Sequence, residues 1–282
     1  MISSYFKLLR PSHWIKNFLV FVPLIFSLNI FRIDRLILAI EAFAAFCLMA
    51  SCIYVINDFL DIERDREHHS KKNRPLASGK IPPLNAMVLA LLLFFTSSMI
   101  AVTINPLFGA ILATYFLLNI AYSFYLKHIV IVDLLLVASF YLLRVYAGAK
   151  AIDVPITSWL LFITFFLALF IVSGKRYSET VTQGHTSRPV LAYYTSEFLA
   201  NIMNMSATGV IVFYALYTTT KHYLFTYSIF FVLFALLRVL YWTQVEKSAE
   251  EPEKLFIKDP WLFGIIFLWG IYTVVTLYFL SN

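Results

Sequence analysis

Apolar runs of about 20 residues, separated by short polar stretches, dominate this chain. An α-helix needs about 20 apolar residues to cross a bilayer. In hydrocarbon, only helices and closed barrels satisfy every backbone polar group. The runs lie near 17–31, 36–56, 84–104, 107–125, 129–149, 156–173, 197–219, 224–242 and 260–280. They predict an all-α membrane protein of about nine transmembrane helices, with residues 1–282 forming one domain. Composition agrees: 61% of the 282 residues are hydrophobic and 13% charged, against about 45–50% and 25% in soluble domains. Mean hydropathy is +0.79. No small-residue cleavage pattern follows the first run, so it reads as a span rather than a removed signal.

The net charge of +6 follows from the loops and does not point to nucleic acid. Seventeen Lys and Arg fall at the N-terminus and in the loops after even-numbered runs, and four fall on the other side. Positive residues collect on the cytoplasmic face. The expected topology has the N-terminus in the cytoplasm and the C-terminus outside, in a bacterial inner membrane. The longest polar loops then face the cytosol. Cys47 and Cys52 share one apolar run and have no metal-ligand spacing, so they read as small core residues.

One polar stretch carries most of the candidate chemistry. Asn57–Lys80 holds five of the sixteen acidic residues and six of the twenty-two Lys and Arg. Such density beside membrane-type sequence is costly unless functional. Asn57, Asp58, Asp61 and Asp65 read N-D-x-x-D-x-x-x-D. If the second span stays helical past its end, these positions share a face. Three carboxylates and an amide would then converge and repel unless a cation lay between them. Oxygen ligands of this kind suit Mg2+ bridging to substrate phosphates; Mn2+ is admitted by the same set. The bland reading is a solvated helix end paired with Arg64 and Arg66. The following Lys71, Lys72, Arg74 and Lys80 fit either a lipid-headgroup anchor or a shaped phosphate loop. Arg74-Pro75 and Ser78-Gly79-Lys80 favour the loop.

Other candidates are spread along the chain. Lys16 and Asn17 enter the first span beside Trp14, where an interfacial belt and a site-facing pair are both open. Asp133 and Arg144 lie inside the fifth run, about three helical turns apart. Intramembrane charges are functional or paired. Lys127 precedes that run. A polar loop is expected over Gly174–Pro189, opening Gly174-Lys175-Arg176-Tyr177-Ser178-Glu179. Lys175 and Arg176 suit a phosphate, or cap the cytoplasmic end of the sixth span.

With these residues in view, the chain resembles the UbiA superfamily of membrane prenyltransferases. The resemblance is carried by N-D-x-x-D-x-x-x-D after the second span, Ala121–Lys127, and the number of spans. Within the superfamily it is most similar to the decaprenyl-phosphate phosphoribosyltransferase branch, almost end to end. Arg10–Asn17 (R-P-x-x-W-x-K-N), Asn57–His68, Gly174–Glu179, Tyr194–Ser196 and Glu251–Glu253 carry that likeness. Prenyltransferases of the superfamily have a second Asp-rich motif in the loop after the sixth span. This chain has no aspartate from Gly174 to Pro189.

The resemblance implies a helical bundle around a central cavity open to the cytoplasm and laterally to lipid. It implies a Mg2+-dependent, inverting transfer of 5-phosphoribose from 5-phosphoribosyl 1-diphosphate to polyprenyl phosphate, with release of diphosphate. It assigns Asn57, Asp58, Asp61 and Asp65 to metal and diphosphate. It makes Lys16, Asn17, Arg74, Lys80, Lys127, Lys175, Arg176 and Tyr177 candidate substrate contacts. A homo-oligomer is allowed, and nucleic acid is not expected. Two other readings are a prenyltransferase acting on an aromatic or other small acceptor, and a transporter of an anionic lipid or metabolite.

Overall fold

The computed structural model describes residues 2–67, 71–183, 189–246, 255 and 258–280. His68 and Glu251–Glu253, both noted in the sequence, lie outside the described residues. Among the described residues the fold is entirely helical, with no strand. In chain order come α1 (Ile2–Leu9), a 3-10 helix (Pro11–Phe21), α2 (Val22–Phe26), α3 (Ile33–Leu60), α4 (Ile62–Glu67), α5 (Pro83–Ile104) and α6 (Pro106–Phe124). They are followed by α7 (Val132–Ala151), α8 (Ser158–Gln183), α9 (Ser196–Thr218), α10 (Ile229–Gln244) and α11 (Pro260–Val274). Eight helical stretches among the described residues are long and apolar enough to cross a membrane.

The expected first span is not an α-helix. Pro11–Phe21 is an eleven-residue 3-10 helix continued by the five residues of α2. A 3-10 helix has three residues per turn and eclipses i with i+3. The sequence suits that period. Trp14, Asn17 and Val20 share one face, with Asn17 and Val20 buried. Ser12, Ile15 and Phe18 share another face and are exposed. At about 2.0 Å rise per residue, eleven residues cover about 22 Å, and α2 adds about 7 Å. The stretch is thus near the ~30 Å hydrocarbon thickness with fewer residues than an α-helical span needs.

The chain divides into two compact units, Met1–Phe124 with Leu143–Pro155, and Tyr125–Leu142 with Ile156–Asn282. In the first, α3 packs along α5 through small residues. Ala39, Ala42, Ala45 and Ala50 are buried on α3, and Ala86, Ala90, Ser97 and Ala101 on α5. Small residues let membrane helices approach closely and bring backbone oxygens within reach. Accordingly, Ser97 Oγ donates to the Ala45 carbonyl at 2.7 Å. The other faces of α5 expose Leu84, Leu92, Phe95, Met99 and Val102, as a lipid-facing helix does.

In the second unit, α8 packs on α9. Phe166 stacks on Phe213 at 5.4 Å between centroids, and Ala168, Leu169 and Val172 join Leu199 in one apolar cluster. The sixth span was expected to end at 173, but α8 runs to Gln183. Polarity alone does not end a helix. Gly174 is buried against Met203 and Thr243, so Lys175–Glu179 form helical turns rather than a loop.

Candidate active site

Three segments far apart in sequence meet over one apolar cluster in the first unit. Leu8 from α1, Cys52 and Val55 from α3, and Leu76 and Ile81 from the loop after α4 are all buried there. Each segment carries one charged residue of the site. After α1 the chain turns at Arg10, whose φ is +51°. A non-glycine residue there costs of order 1–3 kcal/mol and persists only where surroundings hold it. Trp14 holds it from the far side: its indole donates to Ser51 Oγ at 3.0 Å, and that hydroxyl donates to the Leu9 carbonyl at 2.8 Å. The tryptophan therefore pins the segment to α3. The Arg74 loop is equally shaped. Ser78 N–H bonds the Arg74 carbonyl at 2.9 Å and Ile81 N–H the Pro75 carbonyl at 3.2 Å. Gly79 supplies the left-handed turn, with φ +72°.

The charges converge on two buried carboxylates. Asp58 is 3% exposed and Asp65 2%. Arg74 Nη1 donates to Asp58 Oδ1 at 3.1 Å and to Asp65 Oδ2 at 2.6 Å. Arg10 Nη2 donates to the same Asp58 Oδ1, and its guanidinium lies 5.0 Å from the centroid of the Tyr54 ring. Buried carboxylates persist only when paired, and two guanidiniums meet that need. Arg10 and Arg74 also line a cleft of about 510 Å3, together with Lys7, Ser12 and His13. The wall of this cleft is therefore basic, and the two arginines that line it are bound to the buried carboxylates behind them.

The break between α3 and α4 falls inside the acidic motif. Asp61 ends α3, with φ −97° and ψ 11°, and α4 restarts after it, while Asp61 N–H still meets the Asn57 carbonyl at 3.0 Å and Asp65 N–H the Asp61 carbonyl at 2.8 Å. Among the described residues no three His, Cys, Asp or Glu side chains lie together as a metal group. Asp58 and Asp65 do meet, through Arg74. Asn57 Oδ1 is buried with no hydrogen-bond partner, an arrangement native structures avoid unless something else binds the atom. Two carboxylates and an orphaned amide oxygen are hard ligands that fit Mg2+, which keeps part of its water shell and asks for few protein groups.

Asn17 is fully buried. It donates to Cys47 Sγ at 3.3 Å and accepts from Arg144 Nε at 2.7 Å. Arg144 also donates to the Tyr115 hydroxyl at 2.8 Å. The intramembrane arginine is thus tied within its own unit. Lys16 is half-buried and Lys80 exposed. In the second unit, Lys127 and Lys175 are half-buried, and Tyr177 packs against the apolar cluster of α8 and α9. Arg176 is buried; its Nε meets Asp133 Oδ2 at 3.2 Å and its Nη1 meets Glu179 Oε2 at 3.0 Å. Tyr194 completes this network by donating to Asp133 Oδ1 at 2.6 Å and accepting the Ile131 N–H at 2.6 Å. Burial, and then the bond to Asp133, push the Tyr194 hydroxyl well above its ordinary pKa. So Asp133, an intramembrane charge that the sequence leaves as functional or paired, is a buried acceptor for Tyr194 and Arg176. Arg10 was not singled out as a site residue; the only signal was its place at the head of R-P-x-x-W-x-K-N.

The description of the UbiA prenyltransferase family matches residues 20–178, more than half of the chain. The chain belongs to the UbiA prenyltransferase family. With eight such apolar helices among its described residues, this UbiA protein is an integral membrane protein. It is 35% identical to a decaprenyl-phosphate phosphoribosyltransferase from Mycolicibacterium smegmatis, over 97% of this chain and 92% of the relative. It is 33% identical to one from Mycobacterium tuberculosis, over 92% and 89%. Its fold is similar to that of a UbiA homolog from Archaeoglobus fulgidus bound to GPP and Mg2+. The TM-score is 0.74 at 18% identity, covering 97% of this chain and 99% of that one.

Proposed function

We propose that this chain transfers 5-phosphoribose from 5-phosphoribosyl 1-diphosphate to a polyprenyl phosphate of decaprenyl type, releasing diphosphate. The observation that carries the reading is the pairing of two buried carboxylates with two guanidiniums at the edge of a basic cleft. The relatives' names agree with it. The absence of aspartate from Gly174 to Pro189 favours one metal-dependent diphosphate site and a phosphorylated sugar donor. The family's own description supports the second reading, transfer of a prenyl group from prenyl diphosphate to a small acceptor.

Asn57, Asp58 and Asp65, with Asp61 beside them, would hold Mg2+, which when bound neutralises the charge gathering on the departing diphosphate. Arg10 and Arg74 take phosphate oxygens. Lys16, Lys80, Lys127, Lys175 and Tyr177 are assigned to the remaining phosphates. Arg176, locked by Asp133 and Glu179, positions the turn that carries Lys175 and Tyr177. A lipid phosphate is already anionic at neutral pH and needs no strong general base. Catalysis comes from placing it behind the anomeric carbon and from stabilising the leaving group. Direct displacement inverts the anomeric centre.

We assign the N-terminus and this site to the cytoplasmic face of a bacterial inner membrane, a reading supported by the excess of Lys and Arg in the loops on that side, and we take Pro11–Phe26 as a further crossing and 1–282 as one transferase domain. The test is product analysis after incubation with 5-phosphoribosyl 1-diphosphate, Mg2+ and decaprenyl phosphate. Mass spectrometry should find polyprenyl-phosphoryl-5-phosphoribose, and NMR should find the anomeric configuration inverted relative to the donor. A retained configuration would contradict direct displacement; the absence of any sugar-bearing lipid would contradict the activity.

A further inference from the structure

We propose that Arg10 and Arg74 stand in for the metal and exchange with it, so that metal and phosphate bind as one event. This rests on the assignment of Asp58 and Asp65 to a divalent cation. Arg74 Nη1 occupies the position between the two carboxylates, 3.1 Å from Asp58 Oδ1 and 2.6 Å from Asp65 Oδ2. A cation bound to both carboxylates needs that position. The second guanidinium, from Arg10, takes the same Asp58 oxygen. Each arginine also lines the basic cleft with Lys7, Ser12 and His13. Both side chains are partly exposed, Arg10 at 21% and Arg74 at 28%. They therefore have somewhere to go: a short rotation carries each planar fork from carboxylate to cleft.

Electrostatics ties the two ligands together. A metal alone would displace two guanidiniums into a cleft already holding Lys7, and like charges would gather there uncompensated. A phosphate alone would meet guanidiniums already committed to carboxylates. Together, the metal takes the carboxylates and the phosphate takes the guanidiniums, and every charge is paired. Bidentate Arg–phosphate bonds are among the stronger charge-assisted contacts. Such mutual dependence is thermodynamic coupling and must be reciprocal. It would keep the site from filling with metal before substrate arrives.

The experiment uses the full chain in nanodiscs at buffered free Mn2+, counting protein-retained manganese after ultrafiltration and subtracting empty nanodiscs. Three arms carry no anion, inorganic pyrophosphate, or farnesyl phosphate; the last two separate the donor's diphosphate from the lipid phosphate. In the wild type, the anion that occupies the cleft should tighten Mn2+ binding by about tenfold or more, about 1.4 kcal/mol of coupling. In Arg74→Gln and Arg10→Gln, Mn2+ alone should bind tighter than in the wild type, and the anion should add little. Arg74→Lys should keep part of the coupling. If a glutamine variant is unstable in metal-free buffer, Mn2+ with the anion should restore its thermal stability; failure to restore it would overturn the proposal. It is also overturned if the glutamine variants bind Mn2+ alone no tighter than the wild type, or if neither anion changes wild-type affinity. Phosphoribosyl transfer by a wild type without coupling would sink the exchange and leave the activity standing. Coupling without transfer would do the reverse.

Discussion

The 3-10 helix that leads into the membrane depends on a contact one alanine should break. At Gly148, in the last turns of α7, an added Cβ would fall on the Val20 carbonyl oxygen. That atom is backbone and cannot rotate away. Overpacking a tight contact costs about 1–3 kcal/mol, and here the upper part of that range applies. Replacing glycine by alanine inside a helix returns about 0.5–1 kcal/mol. Gly148→Ala should therefore lose about 1–2 kcal/mol net. For a chain of this size each kcal/mol moves Tm by about 2–4 °C, so a fall of about 2–8 °C is expected. The control is Gly270→Ala in α11, where nothing lies within 4 Å of the added Cβ; it should hold or raise Tm. The assay is thermal unfolding of purified protein at a fixed scan rate. Equal Tm values for the two variants would refute the close approach of α7 to the 3-10 helix. Because Val20 follows Asn17 on the same face, Gly148→Ala should also slow transfer more than its Tm loss explains.

Other variants test the remaining parts. Arg144→Met leaves the Asn17 side-chain Oδ1 and the Tyr115 hydroxyl without the bonds described above, so a loss of about 1–3 kcal/mol for each is expected, with no full rescue in Arg144→Lys, which has no planar fork. Tyr194→Phe removes both the bond to Asp133 and the acceptor for Ile131 N–H, a residue at φ +70°; about 1–3 kcal/mol should go, read as a lowered Tm. Asp259 caps α11 through the N–H groups of Trp261 and Leu262 and also accepts from Arg238 and Trp242. Burial opposes its charge, but the bonds from Arg238, Trp242 and the backbone hold its carboxyl below the usual range. Its folded pKa is thus lower than its unfolded one, near 3.9. The stabilisation is complete above that unfolded value and disappears as pH falls through the folded one. Tm measured from pH 6 downward should therefore fall more steeply in the wild type than in Asp259→Asn, whose Tm is already lowered at pH 6.

Much of the fold was legible because a bilayer demands long apolar runs. The small-residue seam of Ala39, Ala42 and Ala45 with Ala86, Ala90 and Ser97 is invisible to hydropathy, since alanine on any face reads alike. The 3-10 helix was missed for a related reason. Periods of 3.0 and 3.6 separate only over several turns, and Trp14, Asn17 and Val20 fit both until their burial is known. α8 outran its expected end because Lys175 and Arg176 changed the polarity of the sequence without breaking the helix. At the site, the acidic residues could be read locally, since Asp58 and Asp65 lie one motif apart. Arg10 could not: its partner Asp58 is 48 positions away, and only packing of Leu8 against Leu76 and Ile81 brings them together. Likewise, nothing near Asp133 in the sequence announced Arg176 and Tyr194 as its partners.

The central claim is that a sugar, and not a prenyl chain, is what this UbiA protein moves, using Asp58 and Asp65. The direct measurement gives membranes containing the protein Mg2+ and either ribose-labelled 5-phosphoribosyl 1-diphosphate or prenyl-labelled prenyl diphosphate, each with its acceptor. Ribose label should enter the lipid extract with one diphosphate released per label, and Asp58→Asn and Asp65→Asn should each slow this by about 100-fold or more. Transfer of the prenyl label alone, or ribose transfer undiminished in both aspartate variants, would contradict the account.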